Sequence, residues 1–235
     1  MSGSIRVSTV SALEDVPGLV HGFERRFGPA GWETREDGRR RVRGALATHG
    51  RLFFLRQVHG TTVRAAPWAG TPDGDAAVTA DAGLLVGVET ADCLPILLVD
   101  RRRRRAAAVH AGWRGSAAGI ARLAVEGLVA AGSDAADIVA ALGPGIGACC
   151  YEVGDDVREA FGQAGEAFFK PGPRERPHLD VRAANVQQLL DAGIAPGQIH
   201  HLADCTFCRP DLYHSFRRDG RGAGRMVNYV GWEGS

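Results

Sequence analysis

Uninterrupted apolar runs dominate the middle of the chain. Residues 83–88 and 94–99 have this form, which predicts strands buried on both faces. Residues 52–58 read as a strand ending at His59, and residues 61–65 as another beyond Gly60. Arg101 to Arg105 interrupt the pattern as a charged hairpin tip, and residues 106–111 return as the next strand. Helical spacing then takes over. Ser116 is placed to cap a helix whose apolar positions Ile120, Leu123, Ala124 and Leu128 lead to Gly132. Residues 138–142 form a further strand, stopped by Gly143-Pro144-Gly145. Residues 155–161 and 180–190 read as helices. The second is capped by Asp180, striped by Val181, Ala184, Val186 and Leu189, and ended by Gly193. Residues 199–202 and 226–230 are late strands, whereas residues 1–50 are irregular, with the run Arg39 to Arg43 as a solvated loop or helix face. Strands and helices interleave without linker or repeat, so one mixed α/β domain over residues 1–235 is expected.

Composition narrows the function classes. Twenty-eight basic and 27 acidic residues leave a formal charge of +1, too little to steer nucleic acid or an anionic membrane. Neither partner is expected. Lys170 is the only lysine, so the number of arginines reflects composition more than function. The longest aliphatic run, residues 94–99, is far short of the roughly 20 residues that span a bilayer. The first residues lack the apolar run of a signal peptide, and an odd count of five cysteines suits no secreted disulfide framework. A cytoplasmic protein, monomer or homodimer, is the expectation.

Three residues are candidates for metal chemistry. His59, Cys93 and His110 each lie within or at the end of a predicted strand, flanked by small residues. Two imidazoles and a thiolate suit zinc and leave a fourth position open for water or substrate. Their spacing matches no compact zinc-finger signature, and each taken singly would also serve as core filler. Asp92, beside Cys93, would point to the opposite face of a strand. It could orient a ligand or accept a proton, or cap a turn. Cys205-Thr-Phe-Cys208 lacks the second Cys-x-x-Cys of a zinc ribbon and reads first as buried structural cysteine. Gly143 to Gly147, ahead of Cys149-Cys150, allows either close backbone approach to a ligand or a tight structural turn. Arg114, just before a predicted helix, and the pair Arg217-Arg218 are candidate anion ligands.

Five motifs now stand in order: Gln57-Val-His59-Gly60; Thr90-Ala-Asp92-Cys93-Leu-Pro; Val109-His110-Ala-Gly-Trp-Arg114-Gly115; Leu142-Gly-Pro-Gly-Ile-Gly-Ala-Cys-Cys150-Tyr-Glu-Val-Gly154; and Ser215-Phe-Arg-Arg-Asp-Gly220. With weaker matches at His21-Gly-Phe23 and Asp75-Ala-Ala-Val-Thr79, the chain resembles the laccase-domain family over residues 20–230. That family is long labelled multicopper polyphenol oxidase. Its members are also described as zinc-dependent purine nucleoside phosphorylases with adenosine deaminase activity, and in some bacteria as peptidoglycan editing factors. The resemblance implies a single mixed domain of layered helices and mixed sheets, distantly like certain cysteine-hydrolase toxins. It implies His59, Cys93 and His110 as metal ligands, zinc rather than copper, and a purine nucleoside with phosphate as substrates. Arg114, Arg217 and Arg218 would bind phosphate, Gln57 and Cys150 would line the substrate, and Asp92 would carry the proton. The histidines, eight in all with no His-x-His pair, are too few for a trinuclear copper cluster. A phenol oxidase, a hydrolase of wall precursors, and a cysteine hydrolase with Cys93 as nucleophile and His110 as base are the rivals. The family's Thr-Arg-x-Gly-Gly after His-Gly-Phe is replaced here by residues 25–29, and its Leu-Asn-Leu-Gly stretch has no counterpart.

Overall fold

A computed structural model describes residues 5–28, 34–172 and 176–234. Along these residues run strands β1 (Val7–Ser8), β2 (Leu19–Glu24), β3 (Arg51–Phe54), β4 (Val63–Ala65), β5 (Ala76–Thr79), β6 (Leu84–Thr90) and β7 (Leu94–Asp100). They continue with β8 (Arg105–Ala111), β9 (Ile138–Leu142), β10 (Phe169–Pro171), β11 (Pro177–Leu179), β12 (Ile199–His201) and β13 (Met226–Trp232). The helices are α1 (Ser11–Glu14), α2 (Arg35–Ala45), α3 (Trp113–Ala117), α4 (Ile120–Ala130), α5 (Asp155–Phe161), α6 (Val181–Asp191) and α7 (Phe216–Asp219).

Two mixed sheets stack face to face. One has the order β1-β2-β13-β6-β3, the other β12-β9-β7-β8-β5-β4, and β10 and β11 form a separate pair. The run at β7 shows why apolar continuity was needed. Leu97 and Val99 join Phe23, Val86, Val88 and Val230 between the sheets. Ile96 and Leu98, on the alternate face, pack under α4 and α6 with Ile120, Leu128 and Leu189. On the far side, Val42 of α2 covers Leu52, Phe54 and Tyr229. The layers are therefore helix, sheet, sheet, helix, and each fully buried Leu, Ile or Val adds about 1.5–3 kcal/mol of transfer free energy. No helix among the described residues is long and apolar enough to cross a membrane.

Four local expectations are corrected. Residues 5–28 and 34–50 are not irregular: β2 sits inside the first sheet and α2 covers it. Pro29 lies outside the described residues. The arginine run is not simply solvated, because Arg39 pairs with buried Glu89 and Arg41 with buried Glu24. Ser116 caps nothing. It lies inside α3, accepting from Asn185, and the helix breaks at Gly119, whose φ of +87° starts α4. The strand expected over residues 52–58 stops at Phe54: beyond it the Arg56 backbone pairs with Pro72 and Gly74 instead, and Asp75 takes the amides of Val58, His59 and Gly60.

Candidate active site

Adjacent strand ends create the site. β7 and β8 pair antiparallel with Leu94 opposite Ala111 and Pro95 opposite His110. Cys93 just precedes β7 and Gly112 just follows β8, so the two backbones meet where the chain leaves the sheet. A side chain at Gly112 would put its Cβ 3.0 Å from the His59 ring and 3.2 Å from Cys93 Sγ, tighter than nearly all real contacts. Glycine there leaves room for both. His59 arrives from the other side on a turn with φ +60°. The ligand atoms of His59, Cys93 and His110 all lie within 4.8 Å of one another, and the two imidazoles meet edge to face at 4.8 Å between centroids.

Asp75 assembles this trio. Its fully buried carboxylate accepts from His110 Nδ1 at 2.8 Å, from the His59 amide at 2.9 Å and from the Gly60 amide at 2.7 Å. One anion thus fixes the tautomer of His110, leaves its Nε2 free for a ligand, and folds the His59 turn. Burial opposes the charge on Asp75, but the His110 hydrogen bond and the two amides prevail and hold its pKa below the usual value. Burial likewise opposes the Cys93 thiolate, yet the His110 charge and hydrogen bonds from both histidines bring its pKa down to about 6. His110 goes the other way, up to about 9, because Cys93 and Asp75 outweigh its burial. Without a metal, a thiolate–imidazolium pair is therefore favoured. Asp75→Asn is expected to weaken metal binding about 10–100-fold, read by competition with a chelator of known affinity.

These three side chains form the floor of a cavity of about 360 Å³, within the size range of small-molecule sites. Trp113, Tyr151 and Phe216 give it aromatic walls, and Arg114, Arg217, Arg225 and Arg35 give it cationic ones. Arg114 stacks on Trp113 at 4.2 Å, and Arg217 lies over Tyr151 at 5.3 Å while donating to the Glu152 carbonyl. Burial pushes the Tyr151 hydroxyl pKa up, which keeps it protonated. Burial also lowers Arg225 from the ordinary guanidinium value.

The remaining expected residues divide. Asp92 lines the cavity, but not from a strand: φ is +88°, and its carboxylate accepts from Thr206 Oγ1 at 2.6 Å, Ser215 Oγ at 3.0 Å and the Arg217 amide at 2.6 Å. It braces the segment that carries Arg217. Gln57 also lines the cavity, with its amide used in a two-way bridge to the Glu89 backbone at 2.8 Å each way. Arg114 sits inside α3, a five-residue helix, rather than ahead of a longer one. Arg218 turns away and donates to the carbonyls of Thr206, Phe207 and Tyr213 while pairing with Asp219, so it is committed to the loop. Cys150 is absent from the cavity lining and lies with Cys149, Cys205 and Cys208, all four sulfurs within 4.8 Å of one another. Cys208 is exposed and Cys205 only part-buried, which corrects the expectation of buried cysteine. The Gly143–Gly147 stretch is a structural turn: a Cβ at Gly143 would strike Phe23 at 2.3 Å, and Gly145 packs against Leu94. Sequence reasoning missed the roles of Asp75, Arg225, Trp113 and Tyr151. Asp75 carried a signal, as the first residue of Asp75-Ala-Ala-Val-Thr79, and Tyr151 stood inside a quoted motif.

Comparison with known proteins places the chain in a family. Residues 33–233 match the family model described as multi-copper polyphenol oxidoreductase laccase. A purine nucleoside phosphorylase of Deinococcus radiodurans is 41% identical over 177 residues, covering 75% of this chain and 68% of that one. Adenosine deaminase RL5, from an unknown prokaryotic organism, is 40% identical over 160 residues, or 66% of this chain; the match spans 61% of that relative's length. The crystal structure of YlmD from Geobacillus stearothermophilus superimposes with a TM-score of 0.85 at 29% identity, covering 99% of this chain and 98% of that one.

Proposed function

Since the chain belongs to the multi-copper polyphenol oxidoreductase laccase family, we propose that it is an enzyme of its nucleoside-processing branch: a zinc-dependent purine nucleoside phosphorylase with adenosine deaminase activity. The observation that carries this reading is the cavity itself, where a His59–Cys93–His110 donor set lies beneath aromatic walls and several arginines. Two imidazoles and one thiolate fit zinc with one position left open. When bound, the metal would supply Lewis acidity and lower the pKa of a water it holds. Among the described residues the other grouping of metal-type side chains is all cysteine, so a histidine-built multicopper cluster finds no support.

The chain's own residues account for the rest of the chemistry. Trp113, Tyr151 and Phe216 offer faces and edges against which a purine and its ribose can stack. Arg114 and Arg217, joined by Arg225, hold phosphate, with guanidinium forks matched to its oxygens. In phosphorolysis a phosphate oxygen bonds to C1′ of the ribose as the glycosidic bond breaks and the purine leaves with the electron pair. The arginines orient the nucleophile and stabilise charge that develops between the groups. In deamination water adds at C6 of adenine and ammonia leaves. Asp92 serves both reactions by positioning Arg217 through its backbone amide.

The test is to incubate the protein with adenosine, inosine and guanosine, each with and without phosphate. Free base and ribose 1-phosphate should appear only with phosphate, and inosine should form from adenosine without it. Turnover of none of the three, with oxygen consumed on a phenol, would reject the reading.

One observation favours a second reading. Cys93, His110 and Asp75 stand in the order nucleophile, base and orienting carboxylate, as in a cysteine hydrolase. The same pair gives a pH prediction. Thiolate is the reactive form, so alkylation of Cys93 by iodoacetamide in metal-stripped protein should rise with pH through about 6, rather than near the usual 8.5. Peptide mass spectrometry of labelled protein reads this. Zinc should protect Cys93, and turnover that survives zinc removal but not alkylation would favour the hydrolase.

A further inference from the structure

Four cysteines outside the cavity have no part in the chemistry above. Cys149 and Cys150 follow the Gly143–Gly147 turn, and Cys205 and Cys208 flank Thr206 and Phe207 in a distant segment of the sequence. Backbone pairing, with one amide-to-sulfur hydrogen bond beside it, brings the two segments together. Gly145 bridges Cys205, the Thr206 amide donates to the Gly145 carbonyl at 3.1 Å, and the Cys150 amide donates to Gly147 at 2.9 Å. All four Sγ atoms then lie within 4.8 Å of one another, with Cys149 to Cys208 at 3.8 Å and Cys150 to Cys208 at 3.4 Å. A tetrahedron of zinc–sulfur bonds of about 2.3 Å has edges of about 3.8 Å. The four sulfurs thus already stand near the spacing that a zinc ion would require.

We propose that Cys149, Cys150, Cys205 and Cys208 bind one zinc ion as a structural tetrathiolate, a second metal site separate from His59, Cys93 and His110. Packing does not explain these thiols, because Cys149 and Cys208 are exposed and the other two only part-buried. Unpaired cysteine that serves as apolar filler is ordinarily buried. The surroundings are those of a sulfur ligand. The Gly147 amide donates to Cys205 Sγ at 3.2 Å, and a Cβ on Gly147 would come within 3.2 Å of Cys149 Sγ. Arg182 is mostly buried near Asp180, Asp204 and Cys205, and its Nη1 has no hydrogen-bond partner. Four thiolates around a divalent ion leave net negative charge, and this guanidinium would offset it. An all-sulfur set selects a soft or borderline ion such as zinc over magnesium or calcium. Binding would convert up to four thiols to thiolates and release their protons.

The site would have a defined consequence for the cavity. Thr206, between Cys205 and Cys208, donates to Asp92, and Tyr151, next to Cys150, lines the cavity. A metal at the four sulfurs would pin both loops and with them one cavity wall.

The experiment separates the two sites. The variant His59→Ala/Cys93→Ala keeps only the four-cysteine site. It is purified under reducing conditions, its zinc is measured, and it is titrated with cobalt as a spectroscopic probe. Expected are about one zinc per chain, tetrahedral cobalt absorption with thiolate charge-transfer bands, and four thiols that react only after the metal is removed. Wild type should carry about two zinc, and Cys205→Ser/Cys208→Ser about one. The cobalt spectrum on the first variant decides the matter even if the second fails to fold. The proposal is overturned if that first variant binds neither ion and its four thiols titrate freely, or if mass spectrometry finds a Cys150–Cys208 disulfide in the reduced, metal-supplied protein. Neither outcome depends on which reaction the first site performs.

Discussion

Replacing Cys93 with Ala is expected to remove metal from the first site and to lower nucleoside turnover by roughly a thousandfold or more. Two imidazoles alone are a poor set for zinc, which in catalytic sites holds three protein ligands. The metal's contribution to transition-state charge is several kcal/mol, and about 4 kcal/mol is a thousandfold in rate. The change should not unfold the chain. Cys93 ends a loop at the cavity floor, and the β7–β8 pairing beside it is held by seven residue pairs from Leu94 to Asp100. Initial rates and metal content on the same sample check this. Wild-type turnover in the variant would end the assignment of the site.

The second large effect concerns Asp92, where two roles make opposite forecasts. As a brace, its carboxylate holds three donors from two segments, Thr206, Ser215 and the Arg217 amide. Asp92→Ala would leave these donors without their acceptor. Each such loss costs about 1–3 kcal/mol, and partial rewetting makes a total of about 3 kcal/mol reasonable. For a chain of this length that is a fall in Tm of roughly 10 °C. KM for phosphate should rise with it, because the Arg217 backbone loses its anchor. Asp92→Asn keeps the size and tolerates the left-handed φ of +88°, so it should retain much of the stability and a measurable kcat. A proton carrier would behave otherwise: both variants would lose kcat alike, and Asn would melt like wild type. Thermal melts and a KM-against-kcat split for the two variants distinguish these cases.

What could be read from the sequence follows from the range of each interaction. The strands at residues 84–111 and 138–142 are recorded in their own apolar composition, because a strand between two layers needs apolar side chains on both faces. Asp180 as a cap and Gly193 as a terminator were legible for the same reason, since each acts within a few residues. His59, Cys93 and His110 stand out through the motifs, not through their spacing. The unread parts all depend on distant partners. Arg39 looks like a solvated arginine until Glu89 is placed beside it. Asp75 looks like an acidic residue before a strand until His59, Gly60 and His110 turn toward it. Arg218 has the same local context as Arg217, yet one donates into its own loop while the other lines the cavity. The Cys-x-x-Cys has no second copy of itself in the sequence, whereas the fold sets it beside the adjacent pair Cys149-Cys150.

Zinc add-back to chelator-stripped protein tests the central claim most directly, with adenine and ribose 1-phosphate measured from adenosine and phosphate. The account predicts almost no product from stripped wild type, recovery that saturates as the His59–Cys93–His110 site fills, and no recovery in Cys93→Ala. Full phosphorolysis by the stripped protein, or equal recovery in Cys93→Ala, would contradict it.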